Sequence, residues 1–175
     1  VFPLACCEFE ADGDRLHALR CRDDPWATDY ELPPLRVLEL RADCGSINPN
    51  HGGRFSVEVR VEGRTWVMDE ADGEPLAQSL REVLARYDPD LIVSEWGDSY
   101  LLPRLIRQAA ALRIELPLNR DAGRSPFQKK ARSYFSYGRI VFKDAATSLF
   151  GRLHVDLRNS FVCGESGLEG LYELV

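Results

Sequence analysis

The sequence predicts an α/β domain with a mixed central sheet flanked by helices. Three observations carry that prediction. The run Leu91-Ile92-Val93, set behind Asp88-Pro89-Asp90, is a short apolar strand of the kind buried on both faces of a sheet. Phe55, Val57, Val59 and Val61 alternate with Ser56, Glu58 and Arg60, the period of a half-exposed strand. Two stretches, one on each side of the apolar run, carry apolar residues at helical spacing.

Taken in order, residues 5–11 and 16–21 are short extended runs joined by the turn cluster Asp12-Gly13-Asp14. Asp23-Asp24-Pro25-Trp26 breaks the pattern, and Trp26 and Tyr30 are expected to pack this edge onto the main domain. Pro33-Pro34 then leads to a strand over 35–40 that runs into Arg41-Ala42-Asp43. After a polar loop, the alternating strand reaches Glu62-Gly63 and turns back through residues 64–68 as a hairpin. A helix is predicted over 74–87, with Pro75 in its first turn and Leu76, Leu80, Val83, Leu84 and Tyr87 on one face. It stops at Asp88, because the residue before a proline is pushed out of the α region. Beyond the central strand lies a polar turn, residues 94–99. A second helix then begins near Tyr100, tolerates Pro103 in its first turn, and runs to before Pro117, with Leu101, Leu105, Ile106, Ala109 and Leu112 as its stripe. Residues 118–150 are irregular and turn-rich. Residues 151–157 form a strand leading into a helix near 158–162, and 167–174 starts another. Strand, hairpin, helix, strand, helix is the order of a ribonuclease-H-like fold; a plain doubly wound domain has no place for the hairpin.

At 175 residues the chain is long enough for one real core. It is 45% hydrophobic and 29% charged, which is ordinary for a globular chain. No run of about 18 apolar residues indicates a membrane span, the start lacks the basic flank of a secretory signal, and the expected location is the cytoplasm. With Val1 at its start and no initiating Met, the sequence reads as a piece of a longer protein. Cys6, Cys7, Cys21, Cys44 and Cys163 include no Cys-x-x-Cys, the odd count argues against a complete set of internal disulfides, and small buried hydrophobes are the expected role. A net charge of −6 excludes a generally DNA-attracting surface, so any nucleic-acid contact must rest on a local basic patch.

The stretch Asp88-Pro89-Asp90-Leu91-Ile92-Val93, with the turn and helix start behind it, resembles the second exonuclease motif of family B DNA polymerases. There Asp-Pro-Asp and a hydrophobic strand lead into Gly-x-Asn-x-x-x-Phe-Asp-Leu-Pro. Laid on that pattern, Ser94 takes the glycine position, Trp96 the asparagine, Tyr100 the phenylalanine and Leu101 the aspartate, while Leu102 and Pro103 match. Leu32-Pro33-Pro34-Leu35-Arg36-Val37-Leu38 and Gly151-Arg152-Leu153-His154-Val155-Asp156-Leu157 fall in the family's order, and Gly167 to Leu171 stands where the family begins a serine-leucine helix. The resemblance implies a ribonuclease-H-like, exonuclease-type domain over 32–175, truncated at its carboxyl end. Residues 1–31 would be the end of an amino-terminal polymerase domain or an edge hairpin.

Two-metal phosphodiester cleavage needs clustered carboxylates, because two divalent ions must be held against phosphate. In the family these are an Asp-x-Glu on the first strand, the second-motif aspartate, and an aspartate in a later Tyr-x-x-x-Asp helix. Here Arg41 takes the first aspartate position, Asp43 the glutamate and Leu101 the second aspartate, and no Tyr-x-x-x-Asp follows. The resemblance therefore implies a degenerate site with no catalytic residue and no cofactor. We expect Arg41 to pair with Asp43 in the space of a cation. The alternative acids are Asp98, at the turn, and Asp156, which shares a strand face with His154. With Asp43 these two would serve a working magnesium- or manganese-dependent 3′–5′ exonuclease. Their bland readings are a first-turn or capping acid for Asp98, a paired strand-end acid for Asp156, a packed His154 and a solvated Glu95.

One other stretch stands out. From residue 124 to 143 the chain carries Arg124, Lys129, Lys130, Arg132, Arg139 and Lys143 and no acid, with Phe127, Tyr134, Phe135, Tyr137 and Phe142 interleaved. A hairpin around Gly138 fits the sequence, and the resembled family carries a DNA-touching hairpin in this interval. Basic charge tracks phosphate and rings stack on bases, which suits single-stranded DNA; a solubilised hairpin with its rings in the core suits the composition equally. The function this reading implies is an exonuclease-like domain, inactive as a nuclease, that supports a polymerase. Its expected partners are single-stranded or primer-template DNA and the remaining domains of the same chain, with no membrane. An interaction module without DNA contact is the third reading.

Overall fold

The computed structural model describes residues 7–24, 34–43, 45, 49–51, 53, 56–69 and 74–158. The chain divides into two compact units, Val1–Leu35 and Arg36–Val175. In the first, β1 (Cys7–Asp12) and β2 (Arg15–Cys21) pair antiparallel around Gly13, whose φ of 55° suits glycine. A register shift at Glu10/Ala11 makes a bulge. Trp26 and Tyr30 lie outside the described residues.

The second unit is built on a five-stranded mixed sheet. Its strands are β3 (Val37–Asp43), β4 (Ser56–Val61), β5 (Arg64–Asp69), β6 (Leu91–Ser94) and β11 (Leu153–Asp156), in the order β11-β6-β3-β4-β5. The β3-β4 and β4-β5 pairs are antiparallel, whereas β6 runs parallel to both β3 and β11. At the β4–β5 turn, Glu62 and Gly63 both take positive φ, 48° and 72°, as a type I′ hairpin requires. Leu38, Leu40, Val57, Val59, Val61 and Ile92 bury one face of this sheet in a core shared with the helices.

The first helix, α1 (Glu74–Tyr87), has the predicted bounds, and its stripe of Leu76, Leu80, Val83, Leu84 and Tyr87 is buried. Asp88 ends it at φ 38°, with its N–H donating to Leu84 O at 3.0 Å. The second helix departs from expectation. A π-helical turn, Gly97–Leu101, precedes α2 (Leu102–Ala111), so the helical path starts three residues earlier than Tyr100. It also ends sooner, because Arg113 enters the left-handed region at φ 58° and Ile114 N–H bonds back to Ala109 O at 2.8 Å. Leu112, expected in the stripe, is exposed as a result.

Residues 118–150, expected to be irregular, contain four strands: β7 (Phe127–Lys129), β8 (Arg132–Ser136), β9 (Arg139–Lys143) and β10 (Ala146–Ser148). They form two ribbons, β7 with β10 and β8 with β9. β8 and β9 are the hairpin that the sequence suggests around Gly138, whereas β7 and β10, of three residues each, are too short for a period of two to show. The helix expected near 158–162 and the 167–174 element lie outside the described residues.

The amino ends of β3, β6 and β11 meet at Asp88-Pro89-Asp90. The Arg120 guanidinium donates to Asp88 Oδ1 at 2.8 Å, Asp90 Oδ1 at 2.7 Å and Asp88 O at 2.9 Å. Arg36 adds its backbone N–H to Asp90 Oδ2 at 2.9 Å. Arg152, with a nearly inaccessible side chain, donates to the carbonyls of Pro89, Pro117 and Leu118 and to Asp88 Oδ1. The backbone N–H of Arg36 and the Arg120 guanidinium hold Asp90 down to a pKa of about 2, and Arg120, ahead of Arg152, holds Asp88 below the ordinary carboxylate range. Burial, which disfavours its charge, pushes Arg152 below the usual arginine value.

Candidate functional site

The carboxyl ends of the parallel strands, where open α/β sheets place their sites, hold a buried polar junction. Ser94 ends β6, Asp98 lies in the π turn, Thr147 is in β10, and His154 and Asp156 are in β11. Ser94 Oγ lies 2.8 Å from His154 Nε2, while Nδ1 lies 3.0 Å from Thr147 O and 3.4 Å from Asp98 Oδ1. Two acceptors, Thr147 O and Asp98 Oδ1, face Nδ1, which favours a proton on that nitrogen; in that tautomer Nε2 accepts from the serine hydroxyl. Asp98 Oδ1 accepts the Thr147 N–H at 2.6 Å. Asp156 Oδ2 accepts the Asp98 N–H at 2.8 Å, and its Oδ1 accepts the Arg158 N–H at 3.0 Å.

A serine, histidine and aspartate in this order suggest a nucleophile, but the packing does not present one. Ser94 is 1% exposed, and a Cβ on Gly97 would come within 1.9 Å of its Oγ. The network joins β6, the π turn, β10 and β11, and Gly97 is the residue that lets it close. Sequence reasoning missed Ser94, Thr147 and Gly97; the only signal was a glycine between two bulky or charged neighbours. Asp98 does lie in a first helical turn, but its carboxylate reaches across to β10 instead of capping. Burial raises the pKa of Asp156, against the two backbone N–H groups that stabilise its charge.

Asp43 takes no part in these bonds; its Oδ1 accepts the Gly45 N–H at 3.3 Å. Nor does Arg41 pair with Asp43 as expected. Its guanidinium lies 3.6 Å from Glu39 and 3.6 Å from Glu95, and Glu58 is its cross-strand partner. Arg41, Glu39, Glu58 and Arg60 all stand on the sheet face away from the core; Glu39 of the same strand and Glu95, just beyond β6, take the Arg41 guanidinium in place of the shorter Asp43, while Glu58 pairs with Arg60. Glu95, expected to be a solvated charge, is shared between Arg41 and Arg158. Leu101 is wholly buried. Among the described residues, no group of three or more His, Cys, Asp or Glu side chains is arranged to hold a metal ion.

The basic stretch is the other candidate. Arg124 is held against Asp121 at 3.1 Å and over the Phe150 ring. The rest is open. Phe127, Phe135, Tyr137, Ile140 and Phe142 are exposed, and none of the ribbon's rings joins the core, so the reading with rings packed inward is corrected. The β8–β9 register sorts the residues by face. Arg132 opposite Lys143, Tyr134 opposite Val141 and Ser136 opposite Arg139 make one face; Ser133 opposite Phe142 and Phe135 opposite Ile140 make the other. On the first face the cations of Arg132 and Lys143 sit 6.0 and 5.7 Å from the Tyr134 ring centroid. Tyr137 and Gly138, at φ 48° and 78°, form the tip, with Tyr137 fully exposed. Lys129 lies 5.8 Å from the Phe127 ring centroid, and Lys130 is exposed beside it.

No family model matches the chain. It is 30% identical over 122 residues to a DNA polymerase of Pyrococcus glycovorans, covering 63% of this chain and 14% of that protein. A DNA polymerase of Archaeoglobus fulgidus is 23% identical over 163 residues, covering 88% of this chain and 19% of that protein. Among solved structures, the family B DNA polymerase of Pyrobaculum calidifontis superposes with a TM-score of 0.54 at 23% identity, over 87% of this chain and 19% of that one. The chain thus spans less than a fifth of the length of these polymerases, and at this identity the superposition speaks for the fold alone. Over most of its length the chain is similar in sequence to a segment of archaeal DNA polymerases, and in fold to a segment of a family B one.

Proposed function

We propose that residues 32–175 are the exonuclease-like, ribonuclease-H-like domain of a family B DNA polymerase, inactive as a nuclease, and that it supports the polymerase and contacts template or primer DNA. Residues 1–31 are then the end of the preceding polymerase domain. The observation that carries this reading is the state of the positions that answer to the nuclease acids. Arg41 is a guanidinium engaged by Glu39 and Glu95, and Leu101 is sealed in the core. A pair of divalent ions needs several carboxylate oxygens at these places, and the residues present do not fit them. Of the alternative acids, Asp156 commits both carboxylate oxygens, and Asp98 its Oδ1, to backbone N–H groups.

The amphipathic ribbon supports DNA contact. In a chain of net charge −6, one face of β8–β9 gathers Arg132, Arg139 and Lys143 around Tyr134, and Lys129 and Lys130 precede it. Such a face meets phosphates, while exposed rings at the tip take bases. The test is a fluorescence anisotropy titration of single-stranded DNA at several salt concentrations, beside a nuclease assay with magnesium or manganese. Weak, steeply salt-dependent binding without degradation is expected. Degradation abolished by Asp43→Ala or Asp98→Asn would instead establish a working nuclease with shifted acids. Absence of salt-dependent binding would leave a protein interaction module.

A further inference from the structure

Antiparallel pairing sets Cys7 of β1 directly opposite Cys21 of β2. Residues paired in this way have Cα atoms about 4.5 or 5.5 Å apart, according to the kind of ladder site. Both separations lie within the roughly 4.4–6.8 Å that a disulfide spans. Their Cβ atoms stand about 4.5–5.5 Å apart, slightly beyond the roughly 3.5–4.5 Å of a relaxed bridge. Closing the bond therefore needs a small local approach of the strands and yields a strained, readily reduced disulfide. No disulfide joins the two thiols in this structure; Cys21 is exposed and Cys7 is half-buried, contrary to the buried role expected of the cysteines.

We propose that Cys7 and Cys21 form a reversible thiol–disulfide exchange site, oxidised by a low-molecular-weight disulfide such as oxidised glutathione. The exposed Cys21 thiol loses its proton, and its thiolate attacks one glutathione sulfur. The glutathione S–S bond breaks, a protein–glutathione bond forms, and one glutathione leaves. The Cys7 thiolate, facing it across the ladder, then attacks the Cys21 sulfur and expels the second glutathione. Two protein thiols are oxidised to one disulfide, and one oxidised glutathione is reduced to two thiols. The bridge fastens the open end of a hairpin whose other end is the Gly13-Asp14 turn. Nearly every side chain of that hairpin is exposed, and a lone two-stranded ribbon is marginal in water, so the bridge changes its persistence most.

The full chain is equilibrated over a series of oxidised-to-reduced glutathione ratios, its remaining thiols are alkylated, and the products are read by intact and peptide mass spectrometry. The expected product is a monomer lighter by two hydrogens. Its bridge survives Cys6→Ser, Cys44→Ser and Cys163→Ser and disappears in Cys7→Ser and Cys21→Ser. Hydrogen exchange of the β1–β2 amides then slows on oxidation by on the order of tenfold or more. A glutathione adduct that never closes would overturn the proposal. So would a bridge lost in Cys6→Ser, a disulfide between two chains, or unchanged exchange in the bridged form.

Discussion

Replacing Arg152 with alanine removes a guanidinium that serves three backbone carbonyls and Asp88 from a nearly inaccessible position. The carbonyls keep their burial and lose their donor, so Arg152→Ala is expected to destabilise the second unit by about 3–5 kcal/mol in urea unfolding. Arg152→Lys recovers only part of this, since one ammonium cannot cover the fork of directions that a guanidinium does. Leu101→Asp acts through the same physics with the opposite chemistry. A carboxylate introduced at a fully buried site either stays protonated or costs at least about 3 kcal/mol, in place of restoring a metal ligand. Thr147 offers a contrast. Its Oγ1 is buried with no hydrogen-bond partner among the described residues, while its backbone holds both His154 and Asp98. Thr147→Val keeps the shape and the backbone bonds, and should leave stability unchanged or raise it by up to about 1 kcal/mol.

At the level of elements, the β4–β5 and β8–β9 hairpins test turn chemistry directly. Glu62 holds a left-handed φ of 48° at the β4–β5 turn, which asparagine tolerates far better than glutamate. Glu62→Asn, at an exposed position, should stabilise the sheet by about 0.5–1 kcal/mol, measured by thermal or urea unfolding. Gly138→Val should cost about 1–2 kcal/mol of local stability in the β8–β9 ribbon, seen as faster amide exchange there, with the core unchanged. The junction of β3, β6 and β11 gives a pH signature. Asp88 and Asp90 are held below their unfolded values, so their contribution is fully present above about pH 4–5 and is lost as pH falls through the folded values, about 2 for Asp90. Asp156 runs the other way: its raised pKa means that stability declines as pH rises from about 4 through its folded value. Urea midpoints between pH 7 and pH 2 should therefore fall more steeply for the parent than for Asp90→Asn.

For the whole molecule, the proposed DNA contact rests on where the open cations are gathered. If Lys129, Lys130 and Arg132 each meet a phosphate, neutralising all three reduces the log–log salt slope for single-stranded DNA by about 2, at roughly 0.7 per contact. Removing the ring with Tyr137→Ala is expected to cost about 1–3 kcal/mol of binding and to leave that slope nearly unchanged. Anisotropy titrations at several salt concentrations separate the two effects. The double reversion Arg41→Asp with Leu101→Asp should not produce an efficient nuclease. Arg41 stands on the charged face of the sheet and Leu101 inside the core, so the pair does not meet around a common ion. Digestion of single strands at enzyme-like rates by that variant would show that the site lies elsewhere.

Much of the sheet and the first helix was legible in the sequence, because burial imposes a period on the residues themselves. Val57, Val59 and Val61 alternate since one face of β4 meets the core, and the stripe from Leu76 to Tyr87 repeats helically since one side of α1 does. Asp88-Pro89-Asp90 announced a helix end for a local steric reason. Yet nothing local shows that its two acids are gripped by Arg36, Arg120 and Arg152, which come from sequence positions 30 to 64 residues away. The polar junction was legible only in part for the same reason. Asp98, Asp156 and His154 stand out as candidates one by one, but nothing local joins them to Ser94 and Thr147 until parallel pairing of β6 with β11 brings them together. Sequence also could not choose a partner for Arg41, because Asp43, Glu39 and Glu58 were all admissible on one strand face or across it. Local periodicity and sterics are properties of the chain and can be read from it; the pairing of charges depends on distances that exist only once the strands have been laid side by side.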